Sequence, residues 1–229
     1  MNTTIERFSS GNQTVPWEIF RPAAGSGGGP AVLVLHGSFG MLPAYRADIV
    51  SFADALAARG IAAAIPHYLE ATDTGPGAGV FPKIPDLRST WQRVCTDALQ
   101  ALARDANVDA DRLGLLGFSL GANLGLSVAM DPPAGIRPKC VVDFFGPTQG
   151  LEAHWAALPP VLILHGSEDR TVPPSESAHL VAQLDSAGKK KGQDYRFTTY
   201  QGEDHGFKGA ALAKSRDETI DFIEKTIRA

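Results

Sequence analysis

Short, wholly apolar runs separated by helix-length segments constrain this 229-residue chain more than any other feature. Ala31-Val32-Leu33-Val34-Leu35 is apolar at five successive positions. A strand with one wet face alternates apolar and polar residues, whereas a strand covered on both faces has no reason to. Residues 61–65, 113–116 and 161–164 repeat the pattern, 140–145 does so but for Asp143, and 195–200 reads as a further strand. Between them lie segments of helical period at 45–59, 87–106, 120–130, 175–186 and 215–228. Parallel strands need crossovers of a dozen or more residues, and these segments supply them. The pattern predicts one α/β domain over residues 1–229, with a mostly parallel, doubly wound sheet flanked by helices. Residues 14–21 and 5–8 read as an additional strand pair at the start.

Composition narrows the function classes. Apolar residues make up 44% of the chain and the net charge is −4, so there is no basic face for nucleic acid. No apolar stretch approaches the length of a membrane span, and residues 1–7 lack a basic segment followed by an apolar run. The expectation is a cytoplasmic protein, a monomer or small homo-oligomer, with neither nucleic acid nor membrane as partner. Cys95 and Cys140 are too few for a disulfide framework and read as reduced, buried thiols. The Gly-rich stretch at 25–30 precedes a strand rather than a helix, so it reads as a flexible turn and not a phosphate cradle. Lys189-Lys190-Lys191, between Gly188 and Gly192, reads as a solvated turn.

One junction carries chemistry. Gly117-Phe118-Ser119-Leu120-Gly121 fits G-x-S-x-G, follows an apolar strand and opens a helix. Such a turn is sharp enough to strain its central residue, and its neighbours two places away must be small. Gly117 and Gly121 meet that need. The turn would lift the Ser119 hydroxyl to the sheet edge over a helix N-terminus, where backbone N–H groups can face negative charge. The glycines here do not give G-x-G-x-x-G, which removes a dinucleotide site.

A serine needs a base, and the base needs an orienting acid, in the chain order Ser, acid, His. His205, in Gly202-Glu203-Asp204-His205-Gly206-Phe207, follows the last strand and precedes the last helix. His36 and His165 close apolar runs and read as shapers of strand ends; His154 and His179 carry no special signal. The acid belongs after the strand at 161–164. Asp169 is favoured there beside Glu168, while Glu203 and Asp204 are too near His205 in sequence to orient its ring. Backbone N–H groups of Leu120 and of Ser38, in His36-Gly37-Ser38-Phe39-Gly40, are the candidate oxyanion donors. A histidine base predicts activity that falls at low pH as the ring protonates. Phe39, Tyr68, Trp91, Phe145 and Phe207 are candidate pocket walls, with plain core positions as the alternative. Residues 67–86, rich in Gly, Pro, Asp and Thr, read as a long loop bordering that pocket.

Together these residues resemble the dienelactone hydrolase family of α/β-hydrolases. The carriers are Leu35-His36-Gly37-Ser38-Phe39-Gly40, the Ser119 turn, Val142-Asp143-Phe144-Phe145-Gly146, the string His165-Gly166-Ser167-Glu168-Asp169-Arg170-Thr171-Val172-Pro173, and Asp204-His205-Gly206-Phe207. The resemblance implies an α/β-hydrolase fold without a large lid domain, no cofactor, no metal, and Asp169 rather than Glu168 as the acid. It implies a carboxylic ester or lactone as substrate. The sequence departs from the family in three places. Ser119 stands where the namesake enzymes have cysteine, Gly37 where they have a glutamate touching the resting thiol, and Gly209 near a position where an arginine holds the substrate carboxylate. Lys208, Arg88 or Lys83 could replace that arginine. A serine esterase or lactonase is the implied activity; the alternatives are a non-catalytic binder of small esters, or an acyltransferase or peptidase on the same three residues.

Overall fold

The computed structural model describes residues 2–23, 27–151 and 154–228. Its centre is one eight-stranded sheet in the order β1-β2-β4-β3-β5-β6-β7-β8. The strands are β1 (Asn2–Ser10), β2 (Gln13–Arg21), β3 (Gly29–Leu35), β4 (Ala62–Pro66), β5 (Val108–Phe118), β6 (Cys140–Phe144), β7 (Val161–Gly166) and β8 (Tyr195–Tyr200). β1 and β2 form an antiparallel hairpin, and β2 runs antiparallel to β4. Every pairing from β4 through β3 to β8 is parallel.

Among the described residues five α-helices cover the two faces: α1 (Pro43–Ala58), α2 (Ile84–Ala103), α3 (Leu120–Met130), α4 (Ser175–Ser186) and α5 (Gly209–Ile227). The continuous apolar run of β3 is explained by this sandwiching. Ala31, Leu33 and Leu35 belong to the core cluster on the α2 and α3 side, while Val32 and Val34 belong to the cluster on the α1 and α5 side. Both cysteines are free and fully buried, and burial pushes the Cys140 thiol up to about 12. No helix of the described residues is long and apolar enough to cross a membrane. Of the Gly-rich stretch at 25–30, residues 25 and 26 lie outside the described residues, and Gly29 and Pro30 already belong to β3.

Several boundaries differ from the sequence reading; β5, for example, runs over Val108–Phe118 rather than 113–116. The segment at 67–86 holds two short 3-10 helices, Tyr68–Thr72 and Ala78–Lys83, and α2 starts at Ile84, with proline in its first turn, rather than at 87. A proline tolerated at the start of a helix reads from sequence as a breaker. Likewise α5 starts at Gly209, ahead of the amphipathic stretch that marked it.

The topology fixes where a ligand can sit. From β3 the chain proceeds to β4 on one side, and then returns to place β5 on the other side of β3. Loops leaving β3 and β5 therefore diverge over opposite faces and leave a crevice at the strands' C-terminal ends. The 36–40 loop and Ser119 both lie there.

Candidate active site

Ser119 links β5 to α3 with φ 54° and ψ −120°. A non-glycine residue held there stores on the order of 1–3 kcal/mol, which the surroundings must offset. The Ser119 N–H donates to the Phe144 carbonyl at 2.9 Å. Its own carbonyl accepts from the Ala122 and Asn123 N–H groups at 2.9 and 3.2 Å. The small neighbours are obligatory. A Cβ on Gly117 would strike the backbone of Gly121 and Ala122, and one on Gly121 would strike the Leu35 and His36 carbonyls.

The acid and the histidine meet from separate loops. His205 Nδ1 lies 2.7 Å from Asp169 Oδ2. Asp169 Oδ1 accepts the Thr171 and Val172 N–H groups at 2.9 and 2.8 Å. Burial opposes the Asp169 charge, but hydrogen bonds from His165, His205 and the Val172 N–H outweigh it and hold the carboxyl well below its usual range. Asp169 is therefore ionised at any working pH. It accepts the Nδ1 proton of His205, which leaves Nε2 as the basic nitrogen. Phe145 packs on the His205 ring with 4.5 Å between centroids.

The competing acids serve other ends. Asp204 Oδ1 accepts the backbone N–H groups of Arg170 and of His205 itself, tying the two loops together. Glu203 Oε2 accepts the Lys208 N–H just ahead of α5, and the Glu203 carbonyl accepts the Glu168 N–H. His36 keeps the strand-end role read from sequence. It stacks on Tyr68 at 4.4 Å, and burial lowers its pKa to about 4, so it is neutral.

His165 was read as a strand-end residue, and it does more than that. Its Nε2 lies 2.9 Å from the Val172 carbonyl and 3.3 Å from Asp169 Oδ2, and its Nδ1 lies 2.6 Å from Ser177 Oγ. It thus shares Asp169 Oδ2 with His205 and helps to hold the carboxylate in place. The signal was present in the His165-Gly166-x-x-Asp169 spacing, but the partner Ser177 lies in the first turn of α4 and has no local signature.

The 36–40 loop lies directly against the serine. A Cβ built on Gly37 would sit 3.3 Å from Ser119 Cβ and 3.9 Å from Oγ. Neither the Ser38 nor the Leu120 N–H has a backbone acceptor among the described residues. Both are buried beside Ser119, at the strand edge and at the start of α3.

Ser119 and His205 open onto one cavity of about 100 Å³. Phe39, Phe145 and Phe207 line it, as read from sequence. Tyr68 and Trp91 do not. Both are fully buried on the α2 side of the sheet, where the Tyr68 hydroxyl donates to the His36 carbonyl at 2.7 Å and Trp91 Nε1 donates to Thr72 Oγ1 at 2.8 Å. They are core residues whose polar tips are used for structure. The sequence reading missed Tyr45, Ile49 and Phe52 on α1, Phe118 and Phe144 at the strand ends, and Phe81 from the second 3-10 helix. Of the cations considered for a substrate carboxylate, Arg88 bonds Asn123 and Ser127 on α3 away from the cavity, and Lys83 does not line it. Lys208 stands at the rim, 3.3 Å from Asp48. Among the described residues no group of three or more His, Cys, Asp or Glu side chains is arranged to hold a metal ion.

A family model for the dienelactone hydrolase family matches residues 19–221. The chain belongs to the dienelactone hydrolase family. The match takes in the Ser119 turn, Asp169, His205 and the 36–40 loop. The relative LUC6, a hydrolase of a Fusarium species, is 35% identical over 111 residues, which are 45% of this chain and 26% of LUC6. This chain therefore spans about a quarter of that relative's length. Among solved structures, m3DLH superposes with a TM-score of 0.82 at 21% identity, covering 98% of both chains. P91, a dienelactone hydrolase-like promiscuous phosphotriesterase from metagenomic libraries, gives 0.81 at 19% identity and 98% of both. At such identities the two structures establish the α/β-hydrolase fold for this family member.

Proposed function

We propose that this family member is a serine hydrolase that cleaves carboxylic esters or lactones through an acyl-enzyme on Ser119. The observation that carries the reading is the 2.7 Å pair of Asp169 and His205 beside the same cavity as the strained Ser119. In this reading the Ser119 hydroxyl attacks the substrate carbonyl carbon, and His205 Nε2 takes its proton. The carbonyl oxygen becomes an alkoxide held by the Ser38 and Leu120 N–H groups. The alkoxide collapses, His205 returns the proton to the departing alcohol, and the acyl group stays on Ser119. Water then attacks the acyl-enzyme, giving its proton to His205. A second collapse releases the acid, and the proton passes back to Ser119. Asp169 holds one tautomer throughout and stabilises the imidazolium.

The test is turnover of 4-nitrophenyl acetate by the native protein and by Ser119→Ala. The expected loss in kcat is on the order of 10⁴-fold or more. Equal turnover by the two proteins would remove Ser119 from the chemistry. A product survey with alcohol or amine acceptors separates hydrolysis from acyl transfer.

A further inference from the structure

The cavity wall is chemically one-sided. Phe52 and Phe144, 0% and 1% exposed, are the most buried of its lining rings, 5.3 Å apart in an edge-on contact. Phe118 closes against both, at 5.2 and 4.8 Å. At the mouth, Phe39 lies 5.1 Å from Tyr45 and 6.0 Å from Phe81. Tyr45 and Phe81 are 40% and 41% exposed, two of the three large hydrophobic side chains left open to water among the described residues. Exposed apolar groups gathered at the rim of a cleft mark a surface that a ligand covers.

Charge is nearly absent from this wall. Among the described residues, the ionisable side chains lining the cavity besides His205 and the Tyr45 phenol are Asp48 and Lys208, and these pair with each other at 3.3 Å. No arginine lines it. A substrate carboxylate entering here would lose its water and find no unengaged cation, a large penalty for an ion. An apolar group would instead replace poorly held water on aromatic surface. Size sets a second limit. The volume of about 100 Å³ is below the roughly 150 Å³ of an engineered apolar cavity that takes up benzene.

We propose that the cavity beside Ser119 selects esters or lactones whose inserted portion is neutral, apolar and no larger than about one aromatic ring, and that it rejects a carboxylate in that portion. The proposal rests on the serine-hydrolase reading for turnover, but the apolar site itself does not depend on it.

Two matched substrate pairs test it, because either the acyl or the alcohol portion could be the inserted one. 4-Nitrophenyl hexanoate and 4-nitrophenyl hydrogen adipate differ by a carboxylate in place of the terminal methyl. Phenyl acetate and 4-carboxyphenyl acetate differ by a carboxylate on the ring. The expected result is at least a tenfold preference in kcat/KM for the neutral member of at least one pair, with 4-nitrophenyl laurate slower than the butyrate. Equal or better turnover of the charged member in both pairs overturns the proposal while leaving the hydrolase reading intact. Calorimetry on Ser119→Ala reads the cavity without chemistry. Phenyl acetate should bind at least tenfold more tightly than 4-carboxyphenyl acetate, and equal binding counts against the proposal. If that preference holds while the native protein turns over none of these esters, the hydrolase reading fails and the apolar site survives. Asp48→Asn frees Lys208 from its partner and should shift the neutral-to-anionic ratio at least threefold toward the anion. An unchanged ratio would show that the rim pair does not set the charge preference.

Discussion

The two faces of the sheet use aromatic residues for opposite ends. On the α2, α3 and α4 face, Tyr68 and Trp91 are fully buried and spend their polar tips on the His36 carbonyl and the Thr72 hydroxyl. On the α1 and α5 face, phenylalanines without polar tips leave a space that Ser119 and His205 share. Around Tyr68 and Trp91 the first face is filled, whereas beside Ser119 the second is left open. Aromatic content alone therefore does not locate a site; what matters is whether neighbouring elements close over the rings.

The largest effect should come from the open face. Replacing His205 by Gln removes the proposed base while keeping a polar side chain of similar reach. Steady-state kinetics should show kcat lower by on the order of 10⁴-fold, with the melting temperature little changed. A melting temperature that collapses with activity would make His205 a structural residue like His36. On the filled face, Trp91→Ala should cost roughly 3–5 kcal/mol in denaturant unfolding. Folded molecules of that variant should retain most of their kcat. A stable Trp91→Ala protein with lost activity would reverse the assignment of the two faces.

The edge where α1 meets β2 supplies a pH test. Glu18 is buried and held by both Arg46 nitrogens, at 2.5 and 2.6 Å, and by His67 at 3.1 Å. Burial resists its charge, but the bonds from His67 and Arg46 win and lower its pKa from 4.5 to about 2. A lowered folded-state pKa gives stability that is present above the unfolded value and lost as pH falls toward the folded one. Glu18 should thus contribute roughly 3 kcal/mol at neutral pH, fading between pH 4.5 and 2. Unfolding of native protein and Glu18→Gln across this range should converge at the acid end; a gap that stays constant would contradict the linkage. The smallest effect is at the mouth. Phe81→Ala should change stability by less than about 0.5 kcal/mol, because the side chain is already 41% exposed. Its KM for apolar esters should rise severalfold. Phe81→Ala deletes a ring that lines the cavity and Trp91→Ala one in the α2-side core, so their contrasting outcomes measure the difference directly.

Much of this was legible in the sequence because the decisive signals are local. Continuous apolar runs announce strands covered on both faces, and Gly117 and Gly121 announce the Ser119 turn. The chain order of Ser119, Asp169 and His205 anticipated which loops would converge. The pocket was less legible because its walls are set by long-range packing. Phe52 and Phe81 are separated in sequence and joined only by the path of residues 67–83, and nothing local distinguishes them from Trp91. His165 escaped for a related reason: its contact with Asp169 is encoded by spacing, while its anchor Ser177 lies on the next helix.

The central claim is that Ser119 is an activated nucleophile, and its most direct test is reaction with a fluorophosphonate followed by peptide mass mapping. The account predicts a single phosphonyl adduct on Ser119, absent from Ser119→Ala and strongly slowed in His205→Gln. Full labelling of Ser119→Ala, or an adduct mapped to any other residue, would contradict it.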